Sequence, residues 1–313
     1  MPDKSSTQGI APHLALVGVQ VMFGTWPIVG KVVLRAISST GLVALRVGGA
    51  AIALTLLHGR LGKLRQLPRK DLAWLFFISL LGVVWNQLLY VKGLSLTTAI
   101  NATLLSTTIP VCTLVISVAL SYDRLSLRRL AGIALAAAGV IYLVNPLRAD
   151  FSGRTLSGNL LIIANSMCYG AYIALSKDLF KRYGALNVIT WVFVIASFLV
   201  VPIGLFDIRS ADIQSITPVI WAAVVYTILI PTVAAYYLNA WALARVAPST
   251  VAAYIYLQPL IAFGLAPLVL GEQWNSRTIL ACLLIFGGVA VVTMPGRSKA
   301  AKEVAERPDA LAH

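Results

Sequence analysis

Ten apolar runs, each about as long as one helical membrane crossing, leave this chain almost nothing else to fold. Bounded by charge, Pro or Gly, they fall approximately at 11–33, 40–58, 72–94, 97–120, 127–146, 155–180, 187–206, 217–243, 248–270 and 277–295. A hydrocarbon layer of about 30 Å is crossed by roughly 20 helical residues. A helix satisfies its own backbone in lipid, so the expected fold is all-α: a polytopic membrane protein of ten transmembrane helices. Composition agrees, with 59% hydrophobic residues, 12% charged and a mean hydropathy of +0.86. The first run is too long, and too soon followed by a second, for a cleavable leader, so it is expected to remain as the first helix.

The net charge of +14 would suggest a nucleic-acid surface in a soluble protein. Here its distribution points elsewhere. With the N-terminus inside, 17 cationic residues fall in cytoplasmic segments and seven outside. The positive-inside rule therefore puts both termini in the cytoplasm of a bacterial inner-membrane protein, with the lipid bilayer rather than nucleic acid as partner. Cys112, Cys168 and Cys282 lie within apolar runs with no metal-ligand spacing, so no metal or cofactor is expected.

The chain repeats itself. "FGTWPIVGK" (23–31) is echoed 146 residues later by "YGAYIALSK" (169–177). Residues 93–140 align without a gap on 242–289 at an offset of 149, matching Pro110 to Pro259, Asp123 to Glu272 and Gly139 to Gly288. This divides the sequence into an N-terminal tail (1–10), a first five-helix repeat (11–147), a linker (148–154), a second repeat (155–295) and a C-terminal tail (296–313), both tails cytoplasmic. Five is odd, so the second copy starts on the opposite face of the membrane. Inverted repeats of this kind supply the two alternating faces of many secondary transporters.

The motif small-Leu-x-x-Thr/Val-x-Ala/Pro, then a Pro, an acidic residue thirteen further on and a small-residue helix, occurs in both 93–139 and 242–288. It resembles the EamA-type family of the drug/metabolite transporter superfamily, and the "ALRV" of 44–47 is similar to that family's arginine-bearing second helix. The likeness covers residues 11–295 and points toward the YddG-type amino-acid-exporter branch. It implies an inner-membrane exporter or facilitator of small metabolites, often amino acids. It also implies a central cavity lined by the first, third, fourth, sixth, eighth and ninth helices.

Polar groups at mid-membrane depth are costly unless they line a cavity or find a partner. Gln20, Gly24, Pro27 and Lys31 share one face of the first helix, where Pro27 could bend the chain, and Gln20 and Trp26 would look inward. Trp26 reads equally as an interfacial belt aromatic. Trp85, Asn86, Gln87 and Tyr90 crowd the middle of the third helix, and Asn101 lies on the fourth, where Ser106, Thr107 and Thr108, residue types that more often pack helices, come just before Pro110. Asn165, Tyr169 and Tyr172 share a face of the sixth. Tyr236 and Asn239 lie on the eighth, and Tyr254 and Gln258 are one turn apart before Pro259 on the ninth. These are the expected substrate-binding residues, with Pro27, Pro110 and Pro259 as hinges. Lys31, Lys177 and Arg46 read as cations snorkelling to the nearer interface, or else as gating or anion contacts.

All 11 acidic residues fall in expected loops, tails or span ends. A cavity of amides, hydroxyls and aromatics suits small neutral or zwitterionic solutes, with drug or nucleotide-type export as the alternative. No nucleophile, metal or nucleotide motif supports an enzyme. A receptor or scaffold would need a soluble domain or long loops. A monomer is expected; the small-residue fifth and tenth helices could form a dimer contact.

Overall fold

The computed structural model describes residues 4–59, 68–120, 127–144, 153–209 and 216–293. The C-terminal tail, all of the linker but its last two residues, and most cations of the loop after residue 59 lie outside these. Among the described residues every regular element is helical. We label the elements α1 (Lys4–Val33), α2 (Ser39–His58), α3 (Arg69–Leu96), α4 (Ala99–Ala119), α5 (Leu127–Val144), α6 (Arg154–Tyr183), α7 (Ala185–Arg209), α8 (Pro218–Leu243), α9 (Pro248–Leu270) and α10 (Ser276–Thr293). All of these but α5 and α10 contain a stretch long and apolar enough to cross a membrane, which makes eight among the described residues. The other two are 18-residue helices that pack along each other.

Burial is inside-out relative to a soluble protein. Large apolar side chains such as Ile52, Phe198 and Leu268 face outward, while Gln20, Arg46, Gln87, Asn165 and Asn239 are buried. Lipid covers the first set; the second must be satisfied internally.

The two repeats meet through their own counterparts. α2 packs on α7, α5 on α10, and the α1–α9 contact is matched by α6–α4. Such self-complementary pairing is what a two-fold relation produces. The counterparts α2 and α7 run antiparallel: Thr40 and Ala44 lie against Gly204, and Gly48 against Val201. The relation holds at single atoms. A Cβ on Gly24 would lie 2.8 Å from Ile261 Cβ, and one on its counterpart Gly170 would lie 2.8 Å from Cys112 Cβ, Cys112 being the counterpart of Ile261.

Four spans are irregular, at matching places. α3 widens to a π-helix over Leu80–Trp85 and α8 over Leu229–Ala234, 149 residues on. This carries the repeat upstream of the stretch where the sequence aligns. In α8 the cause is legible: Pro231 lacks an N–H, leaving the Thr227 carbonyl without its helical donor, and the Thr232 hydroxyl donates to it at 2.7 Å. α4 breaks at Thr107–Thr108, where the hydroxyls of Ser106, Thr107 and Thr108 turn back onto carbonyls three or four residues earlier, just before Pro110. α9 tightens to a 3-10 turn over Tyr254–Leu257, where Gln258 N–H reaches the Ile255 carbonyl that Pro259 cannot serve. Pro27, by contrast, does not interrupt α1, which is continuous from Lys4 to Val33.

Candidate functional site

The irregular segments surround one central cavity. Phe23 and Trp26 from α1, Arg46 from α2, and Asn86, Gln87 and Tyr90 from α3 line it. Ser106 and Ile109 from α4, Asn165 and Tyr169 from α6, Tyr236 from α8 and Gln258 from α9 complete the wall. Six of these seven helices are those the family resemblance implied. The seventh is α2, through Arg46.

Arg46 is 1% exposed and does not snorkel. Its Nε and Nη2 donate to Thr232 Oγ1 at 3.1 and 2.8 Å, and Nη1 donates to Gln87 Oε1 at 2.7 Å. The guanidinium carbon lies 3.6 Å from the Trp26 ring centroid, a cation–π contact. Thr232 can accept because its own proton is committed to the Thr227 carbonyl. The proline-induced π-segment of α8 thus aims a lone pair at the arginine.

From Gln87 the network continues across the repeat boundary. Gln87 Nε2 donates to the Tyr236 hydroxyl at 2.9 Å, which in turn donates to Asn86 Oδ1 at 2.8 Å. Gln87 and Tyr236 are 149 residues apart and are repeat counterparts. Asn165 Nδ2 holds the Asn86 carbonyl at 2.9 Å, and Gln258 Nε2 donates to Gln20 Oε1 at 2.7 Å. The Gln20 amide nitrogen has no hydrogen-bond partner although the residue is 1% exposed.

Of the residues expected to bind substrate, Trp26, Asn86, Tyr90, Asn165, Tyr169, Tyr236 and Gln258 line the cavity. Gln20, Tyr172 and Asn239 stand directly behind it. Tyr172 stacks on Tyr169 with ring centroids 5.6 Å apart, and Asn239 Nδ2 donates to the Tyr169 hydroxyl at 3.3 Å.

Three are placed elsewhere. Trp85 is 50% exposed on the outer surface, because the π-segment that ends there turns Asn86 and Gln87 inward instead. Asn101 bonds Thr97 and Thr98 in the turn that starts α4. Tyr254 pairs with His13 Nδ1 at 2.8 Å, outside the cavity wall, since the 3-10 turn separates its direction from that of Gln258. Lys31 lines a separate polar recess with Arg35, Ser95 and Glu272, and Lys177 is half-buried on α6 outside the cavity.

Phe23 and Ile109 were not among the expected residues, whereas Gln87 was grouped with its neighbours at mid-span, Ser106 with the packing hydroxyls before Pro110, and Arg46 was read as a snorkelling cation or an anion contact. Arg46 carried a signal: it is the single charge inside its apolar run before the terminal His58. The cavity now measures about 50 Å³, room for only about three to five waters. The polar side chains around it are hydrogen-bonded to one another.

The EamA-like transporter family matches residues 11–145 and again residues 156–294. The uncharacterized transporter YetK of Bacillus subtilis is 26% identical over 94% of this chain and 90% of its own length. A probable terminal-alkyne amino-acid exporter of Streptantibioticus cattleyicolor is 24% identical over 80% of this chain and 83% of its own. A protein of known crystal structure superposes with a TM-score of 0.65 at 22% identity, covering 90% of this chain and 96% of that one. With the family matching both repeats, which meet around one central cavity, the chain belongs to the EamA-like transporter family and is a multi-pass membrane transporter.

Proposed function

We propose that this protein is a secondary transporter that exports or facilitates the movement of small polar metabolites, foremost amino acids, across the bacterial inner membrane by alternating access. In this reading all ten helices cross, and both termini are cytoplasmic. The observation that carries it is the Gln87–Tyr236 hydrogen bond between repeat counterparts in the cavity wall. A cavity on the axis relating two antiparallel repeats can open to either side when the repeats exchange conformations. The lining of amides, hydroxyls and aromatic rings contains no carboxylate among the described residues, which argues against a lipophilic-cation pump. The amino-acid exporter among the relatives lends support to the substrate class.

The test is flux of radiolabelled amino acids from proteoliposomes holding the full chain. Efflux of at least one amino acid faster than from protein-free vesicles is expected. If none of the twenty moves faster, the substrate class is wrong. An imposed pH gradient then separates proton coupling from facilitated diffusion; an unchanged initial rate supports a uniporter.

A further inference from the structure

Arg46 is fully buried, its partners Thr232 and Gln87 are neutral, and neither a carboxylate nor any other anion meets it among the described residues. An uncompensated cation in low dielectric is expensive. A merely structural role in tying α2 to α8 and α3 could be filled by a neutral amide at lower cost. Resting on the transporter reading, we infer that Arg46 is the seat of a carboxylate on the transported solute, which narrows neutral or zwitterionic solutes to those bearing a carboxylate.

The geometry suits this. Guanidinium offers five N–H groups in a planar fork, and three are engaged here, leaving two for an incoming anion. Thr232 fixes one edge of the fork and the Trp26 ring covers one face, so the group is preorganised rather than free to follow the solute. Gln87, the partner on Nη1, can turn its amide onto the solute as the cavity widens. Phe23, Tyr169 and Tyr236 supply apolar and π surface for the rest of the molecule, including an ammonium. The unpartnered Gln20 amide, behind Gln258, is a further buried donor beside the same wall.

The experiment uses the full chain in detergent and in proteoliposomes. Phenylalanine, phenylalaninamide and 3-phenylpropionate, with threonine and threoninamide as a second pair, are compared as stabilisers in a thermal-shift assay. They are compared again as competitors of labelled amino-acid flux. The amino acids and the amine-free acid are expected to act at least about tenfold more potently than the amides. Arg46→Gln should reduce flux about 10- to 100-fold and abolish the preference, and Arg46→Lys should retain part of both. Should Arg46→Gln fail to fold, the acid-versus-amide comparison on the unaltered protein still decides. Equal potency of acids and amides, or full flux in a folded Arg46→Gln, overturns the carboxylate seat while leaving amino-acid transport standing. Transport of a nucleoside or other uncharged solute with no response to any carboxylate overturns both.

Discussion

The Tyr236 hydroxyl joins the two repeats in the cavity wall: it accepts from Gln87 and donates to Asn86. Tyr236→Phe keeps the ring, which packs edge-on against Phe193, and removes only the oxygen. Buried Gln87 Nε2 and Asn86 Oδ1 then lose a partner, at a cost of about 1 kcal/mol for a hydrogen bond between membrane helices. We expect a lower unfolding temperature in detergent together with reduced flux. Trp85→Phe, on the lipid side, should leave flux unchanged; a large flux loss there with none in Tyr236→Phe would relocate the site. Sequence position alone marked Asn86, Tyr90 and Tyr236 as inward, because amides and hydroxyls at mid-span have nowhere cheaper to go. It could not separate Trp85 from its neighbours, since a π-segment shifts which side chains face inward and no proline in α3 announces one. Arg46 was read toward the interface for a related reason. What holds it inside is Thr232, Gln87 and Trp26, drawn from three other helices, which no local pattern displays.

At the level of elements, the helix breaks before Pro110 and Pro259 follow from the missing N–H of each proline. The crossings at Gly24 and Gly170 follow from packing. These two glycines are repeat counterparts, each with a neighbouring Cβ 2.8 Å from where its own would stand, so Gly24→Ala and Gly170→Ala should both destabilise, by about 1–3 kcal/mol, Gly170→Ala the more because it also meets the backbone of Ile109 and Thr113. Gly18→Ala, where an added Cβ meets nothing within 4 Å, should be silent. Thermal unfolding of the three variants checks this, and trimming Ile261 to Ala, which removes Cδ1 and Cγ2 but keeps the Cβ at 2.8 Å, should relieve Gly24→Ala only in part. A tolerated Gly24→Ala beside a damaging Gly170→Ala would mean that the repeats do not share this crossing. The matched sequence offsets, 146 early in the repeat and 149 later, made the pairing of elements legible. The upstream extension through α3 and α8 was not, because there the counterparts share backbone shape rather than residue identity: "LLGVVW" against "LIPTVA".

For the molecule as a whole, the small central cavity lies between two sets of contacts that tie one repeat to the other, one set at each end. At one end Glu272, in the connection between α9 and α10, accepts from the backbone N–H groups of Ala99 and Ile100 at 2.7 and 3.0 Å. Thr97 Oγ1 meets Asn159 Oδ1 at 2.6 Å beside it. At the other end Arg182 and Tyr183 of α6 hold Asp71 of α3, the arginine at 2.8 Å, and His13 of α1 meets Tyr254 of α9. Alternating access requires one set to release while the other holds. A carboxylate on two N–H groups at a helix N-terminus is charge-assisted and favoured by the dipole, together worth about 1–2 kcal/mol. Glu272→Gln removes the charge and one acceptor, so the conformer open at that end should gain about tenfold in population. A cysteine at Ser106, which lines the cavity, reports this when Cys112, Cys168 and Cys282 are replaced by Ala. Its labelling by an impermeant maleimide from the Glu272 side should accelerate about tenfold in Glu272→Gln, while labelling from the opposite side slows. Equal acceleration from both sides would mean that Glu272 supports the fold at large, and no acceleration would mean that the gate at that end is held elsewhere.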